Sequence, residues 1–216
     1  MEILNAFQYR KEHLYKWAFG FSLFTIIYNT IEGLASTFFG FLDGSLSLFG
    51  FGADSFIEVI SGFGIAHMII RTRKNFNSKR DEFEKTALKV TGYSFYILVI
   101  GLVLTSAYNI YTNHNPTTTL FGVIISIISI IIMWALLLGK KKVGDALNSQ
   151  AILADAECTK VCIYMSTILL VSSGIYELTY IPYMDSVGTL GLSFFAYKEG
   201  KECFEKVKGN KTSCCK

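Results

Sequence analysis

The chain has 216 residues, 51% of them hydrophobic and 17% charged, with two prolines and a formal net charge of +3. A soluble domain of this size alternates polar and apolar segments, whereas here the apolar runs reach about 20 residues, the length of one bilayer crossing. The small net charge argues against a nucleic-acid partner, and the basic residues stand in short blocks between apolar runs, where membrane topology accounts for them better than a polyanion does.

Six spans are expected, over residues 15–39, 46–70, 87–111, 120–138, 150–176 and 180–197, the last interrupted at its start by Pro182 and Asp185. The fold class is therefore an all-α membrane protein, a six-transmembrane-helix bundle in contact with lipid and multi-pass in the cell (inner) membrane. Lys and Arg test the count independently, because cytoplasmic loops hold the positive charge. Arg10, Lys11 and Lys16 precede the first span, and Arg71, Arg73, Lys74, Lys79, Arg80, Lys85 and Lys89 follow the second. Lys140, Lys141 and Lys142 lie between the fourth and fifth, and Lys198, Lys201, Lys206, Lys208, Lys211 and Lys216 follow the sixth. Of the 20 basic residues only Lys160 lies elsewhere, so both termini are expected in the cytoplasm. This divides the chain into an N-terminal segment (1–14), a membrane domain (15–198) and a short charged cytoplasmic tail (199–216). The first span is too long for a cleavable signal core and is expected to stay in the mature protein.

In the first span, Asn29 and Glu32 lie on neighbouring turns of one face. They serve either as interhelical hydrogen-bonding groups or in a supporting or proton-relay role beside a neighbouring site. In the second, Ser47, Gly50, Asp54, Glu58 and Ser61 fall on one stripe at about 100° per residue. Asp54 and Glu58 are one turn apart, so their carboxylates can converge on a single cation or share protons; alternatively, one of them pairs with Lys160. The third span reads as scaffold, His114 in the loop after it as a solvated residue, and the fourth span as nearly pure Ile, Leu and Val.

The fifth span contains Ala154-Asp155-Ala156-Glu157-Cys158-Thr159-Lys160-Val161-Cys162, which no lipid-surrounded helix carries without a polar lining or a ligand. Asp155, Cys158 and Cys162 share one face with Thr159 at its margin, while Glu157 and Lys160 lie on another and can pair with each other. Cys158 and Cys162 repeat the one-turn spacing of Asp54 and Glu58. At about 1.5 Å per residue both pairs lie roughly 12 to 20 Å into the membrane, so they can meet near its midplane, where secondary transporters place their sites. Buried thiols are also commonly inert, and a redox pair is a third reading, although a helical i, i+4 pair is strained for a disulfide. Cys203, Cys214 and Cys215 fall in the reducing compartment, where weak soft-metal capture or no role is expected.

The order of spans, the acid pair in the second, and Asn148-Ser149-Gln150-Ala151-Ile152-Leu153-Ala154-Asp155-Ala156 resemble the membrane domain of the cation diffusion facilitator family. Tyr28-Asn29-Thr30-Ile31-Glu32-Gly33, the stretch Gly50-Phe51-Gly52-Ala53-Asp54-Ser55-Phe56-Ile57-Glu58-Val59, and Tyr197-Lys198-Glu199-Gly200 extend the resemblance, which is to small bacterial cation-transporter relatives lacking the C-terminal cytoplasmic domain. The resemblance implies a four-ligand divalent-metal site at Asp54, Glu58, Cys158 and Cys162, with Asp155 or Thr159 as replacements for a thiol. It also implies export from the cytoplasm and a homodimer as one assembly. Two thiols in the family's His and Asp positions favour Zn²⁺, Cd²⁺ or Hg²⁺ over Mg²⁺ and Ca²⁺. Protons displaced by the metal make antiport the natural coupling. The expectation is a transporter with no permanently bound cofactor, exchanging metal for protons; the alternatives are a non-transporting metal-binding sensor and a membrane thiol oxidoreductase.

Overall fold

The computed structural model describes residues 2–74, 82–112, 115–181 and 183–208. Their secondary structure is helical throughout, in six elements: α1 (Glu2–Asp43), α2 (Leu46–Lys74), α3 (Glu82–Thr112), α4 (Leu120–Leu147), α5 (Gln150–Thr179) and α6 (Met184–Val207). Each apolar run seen in the sequence becomes one helix, because a backbone in lipid must satisfy its own hydrogen bonds. His114, Pro182, Cys214 and Cys215 lie outside the described residues.

Local chemistry sets the ends. Gly44 (φ 69°) turns the chain between α1 and α2 in a left-handed conformation that glycine adopts without steric cost. Ser45 then caps α2, its Oγ accepting from Leu48 N at 3.3 Å and its carbonyl from Phe49 N at 3.1 Å. The N–H groups of Leu46 and Ser47 donate instead to the Asp185 carboxylate at the start of α6, at 2.7 and 3.4 Å. All four N–H groups of the first turn are thereby partnered, one pair of them by a different helix. The connection from α4 to α5 is only Asn148 and Ser149, with Asn148 left-handed (φ 48°) and Ser149 N bonded back to Gly144 O.

Two boundaries differ from the sequence reading. Lys140, Lys141 and Lys142, expected in a loop, are the penultimate turns of α4, because Lys140 has buried partners that make a helical path favourable. The sixth helix starts at Met184 rather than residue 180 and continues through Glu199 to Val207, so much of the expected tail extends it.

The short connections make successive helices antiparallel. At one end the turns are tied together: Thr117 N donates to Asp43 O (2.8 Å) and Tyr183 N to Asn115 Oδ1 (3.2 Å). The opposite end gathers the N-terminal part of α1, the ends of α2, α4 and α6, and the start of α5. α1 packs chiefly on α2, α4 on α5 and α3 on α6, with α2 reaching α5 and α6 across the centre. Large apolar side chains such as Phe41, Ile97, Ile131 and Leu178 point outward, a surface suited to lipid rather than water. Five helices, α1 to α5, are long and apolar enough to cross a membrane; α6, with Asp185, Ser186, Thr189 and Ser193 buried against the bundle, is not among them.

Glycines allow α1 and α2 to approach closely. A Cβ on Gly52 would lie 2.6 Å from Thr37 N and 2.9 Å from Ser36 Cβ, and backbone cannot yield as a side-chain tip can. Gly52→Ala should therefore destabilise the protein by about 1–3 kcal/mol, read as a lower unfolding temperature in detergent. Gly20→Ala, where nothing lies within 4 Å, should leave it unchanged or slightly raised.

Candidate metal centre

The acid stripe of α2 faces the bundle interior. Asp54 is 2% exposed, and its Oδ1 is buried without a hydrogen-bond partner. Glu58, one turn on, is fully engaged: Asn29 Nδ2 of α1 donates to its Oε2 at 2.7 Å, and the Cys162 thiol of α5 donates to its Oε1 at 2.6 Å. The α2 stripe and the α5 thiol face, about a hundred residues apart in sequence, thus meet directly. Cys162 Sγ also lies 3.3 Å from Cys158 O, the ordinary back-contact of a polar side chain in a helix.

Glu32 lies beside this pair on α1. Tyr28 Oη donates to its Oε1 (2.8 Å) and Ser55 Oγ to its Oε2 (3.1 Å). Asn29 and Glu32 therefore connect α1 to the acid stripe of α2 from two successive turns. Asn29 Oδ1 is a second buried oxygen without a partner.

A cavity of about 90 Å³ leads to the pair. Its lining comes from Thr25 and Asn29 of α1, residues 58–68 of α2, the first halves of α3 and α5 and the second halves of α4 and α6, toward the end of the bundle at which α6 finishes. Asn29 and Glu58 line it together with Asp155, Cys158, Thr159 and Cys162 of α5 and with Glu199, Cys203 and Lys206 of α6. Asp54 lies one turn beyond this lining. At the opposite end the helices are latched. Besides the Asp185 bonds to the α2 N-terminus, Ser45 Oγ and Ser47 Oγ donate to Asp185 Oδ1 at 2.7 and 2.5 Å. Glu177 accepts from Thr118 Oγ1 (3.0 Å) and Thr119 N (2.9 Å), and Tyr176 Oη donates to Pro116 O (2.6 Å).

The other polar residues of α5 separate into two groups. Glu157 is on the outer side, 3.5 Å from Lys160 and 3.7 Å from Lys141, so the intrahelical pair expected from the sequence is present. Asp155 and Thr159 point toward α4, where Lys140 Nζ lies 3.0 Å from Asp155 Oδ1 and 2.9 Å from Thr159 Oγ1. Cys158 accepts a long contact from Lys206 Nζ at 3.7 Å. Among the described residues, no three His, Cys, Asp or Glu side chains are drawn together closely enough to hold one ion. The closest approach of the predicted ligands is the Glu58 to Cys162 bond.

The sequence reading missed Lys140, Glu199, Cys203 and Lys206 as cavity residues and Asp185 as the latch. The lysines looked like topology signals, and Asp185 like an interruption of a span. One signal was available for Asp185: an acid followed by Ser186 and Thr189 on one helical face is unsuited to lipid.

Comparison with individually curated proteins finds no match. Residues 22–207 match the family described as the cation efflux transmembrane domain, a stretch that contains the acid pair, the thiol pair and the whole cavity. The chain belongs to that family, and its buried acids and thiols lie in the multi-pass membrane domain of a cation transporter.

Proposed function

We propose that this protein exports soft divalent metal ions, Zn²⁺ or Cd²⁺, from the cytoplasm in exchange for protons, with all six helices crossing the inner membrane. Asp54, Glu58, Cys158 and Cys162 bind the ion. One observation carries the reading: a carboxylate of α2 and a thiol of α5 meet at 2.6 Å in the lining of a cavity that Lys140 and Lys206 also line. Two ionisable groups from different helices at that depth are costly unless they do something there. The unpartnered Asp54 Oδ1 beside them is an oxygen that a cation would satisfy.

The chemistry follows from what occupies the space between the ligands. The Cys162 thiol donates to Glu58 Oε1, so an ion bound to both atoms replaces that hydrogen bond and moves the two apart. Metal can enter only as that proton leaves, since thiolate rather than thiol is the ligand. The outgoing proton has a carboxylate acceptor close by, because Asn29 donates to Glu58 and Glu32 lies one turn further along α1. With thiolates and carboxylates all ionised, the four ligands overcompensate a dication, so the loaded site retains part of its protons. Reprotonation from the far side then ejects the ion. The cavity's lining lies toward the end at which α6 finishes, and the Asp185, Glu177 and Tyr176 bonds hold the helices together at the other, as expected of one state of an alternating-access cycle.

In proteoliposomes with a pH gradient, Cd²⁺ and Zn²⁺ flux should fall by at least about tenfold in Glu58→Gln and in Cys162→Ser, equivalent to about 1.4 kcal/mol or more. Gly20→Ala should behave as wild type. Binding without flux in the wild-type chain would favour a sensor instead.

Metal addition to the detergent-solubilised protein should release protons into a weakly buffered solution, at least about one per ion bound. Because protons compete for the same atoms, apparent affinity should rise with pH through the neutral range. An affinity independent of pH would exclude thiol and carboxyl ligands together.

A further inference from the structure

Lys140 is the residue whose presence the transport site alone does not explain. It follows an almost wholly apolar stretch of α4, is 1% exposed, and is among the largest fully buried side chains of the molecule. A buried ion pair of this kind is weak evidence for stability, since well-packed apolar residues hold two helices together equally well. Its partners are telling. Asp155, Cys158, Thr159 and Cys162 are spaced i, i+3, i+4 and i+7, so they share one face of α5, and all four line the cavity with Glu58 and Lys140. Asp155 and Thr159 are the oxygen donors of that face, and the ammonium of Lys140 holds both, at 3.0 and 2.9 Å.

We propose that Lys140 is a specificity-determining residue: a tethered cation that withholds Asp155 and Thr159 from the passing ion, leaving the α5 side of the site to sulfur. This inference rests on the transport reading above. Hard cations such as Mn²⁺ bind through many oxygens, whereas thiolates select softer ions. A carboxylate one turn from Cys158, if released, adds the oxygen donor that a hard ion lacks here. Lys140 also cancels the charge of Asp155, so the cavity attracts cations less indiscriminately.

The test compares Cd²⁺ and Mn²⁺ flux in proteoliposomes of the full chain and its variants. Lys140→Met frees Asp155, and the Mn²⁺ to Cd²⁺ flux ratio should rise by about tenfold. In Lys140→Met/Asp155→Asn the ratio should return to that of wild type, because no carboxylate is left to recruit. Lys140→Gln keeps a donor and similar bulk without the charge; it should raise the ratio to a lesser degree, and it carries the test if Lys140→Met does not fold. A merely structural lysine would lower both fluxes in parallel, so an unchanged ratio in Lys140→Met and Lys140→Gln overturns the inference. So does a raised ratio that persists in the double variant. A wild-type chain that moves neither ion overturns the transport reading and this inference with it, whereas wild-type flux with unaltered ratios overturns this inference alone.

Discussion

Lipid offers no hydrogen bonds, so every polar group carried into this bundle has to be satisfied by another part of the protein. That constraint determines how the helices pair. Asp185 is buried because the first turn of α2 has N–H groups to give it, and Ser45 and Ser47 supply the remainder. Lys140 is buried because Asp155 and Thr159 receive it. Glu32 is satisfied by Tyr28 and Ser55, and Glu58 by Asn29 and Cys162. Some buried polar atoms lack a partner: Asp54 Oδ1 and Asn29 Oδ1 do so beside the thiol pair, as do Tyr15 Oη, Ser36 Oγ, Thr91 Oγ1 and Ser173 Oγ elsewhere in the bundle. Of these, Asp54 Oδ1 is a carboxylate oxygen one turn from Glu58, an atom that a cation would satisfy.

The same constraint separates the two ends of the molecule. At the end with the three tied turns, carboxylates meet backbone N–H groups and hydroxyls, and the helices are drawn together. At the other end a cavity is lined by thiols, acids and lysines. A transporter needs to exchange these conditions between its ends. The outer bonds hold the helices through side chains from α2, α5 and α6 and from the loop before α4, which can part without unwinding a helix. Close packing of α1 on α2 through Gly33, Gly40 and Gly52 instead makes that pair a rigid unit.

Hydropathy revealed the helices, because a crossing in lipid needs a long apolar run and nothing subtler. Periodicity showed which faces carried Asp54 with Glu58 and Cys158 with Cys162, since the helical repeat alone places residues four apart together. It also separated Glu157 and Lys160 from the ligand face, and the 3.5 Å pair bears this out. Tertiary partners were not visible in the same way. Nothing local to α4 distinguishes Lys140 from Lys141 and Lys142, yet one is wholly buried and its neighbours are exposed; the distinction belongs to Asp155 on the facing helix. Likewise Asp185 read as a break in a span until the N-terminus of α2 supplied its donors. Asp155 and Thr159 were read as reserve ligands; they line the cavity with Cys158 and Cys162, and Lys140 Nζ lies within hydrogen-bond distance of both.

The central claim is that α2 and α5 together make a mixed carboxylate and thiolate site for a divalent ion. X-ray absorption at the zinc edge tests it directly, on protein in which Cys203, Cys214 and Cys215 are replaced by serine so that only Cys158 and Cys162 can supply sulfur. The expected first shell contains two sulfur atoms at about 2.3 Å and oxygen at about 2.0 Å, and the sulfur contribution disappears in Cys158→Ser/Cys162→Ser. A zinc shell of oxygen and nitrogen alone in the protein that retains both thiols would contradict it.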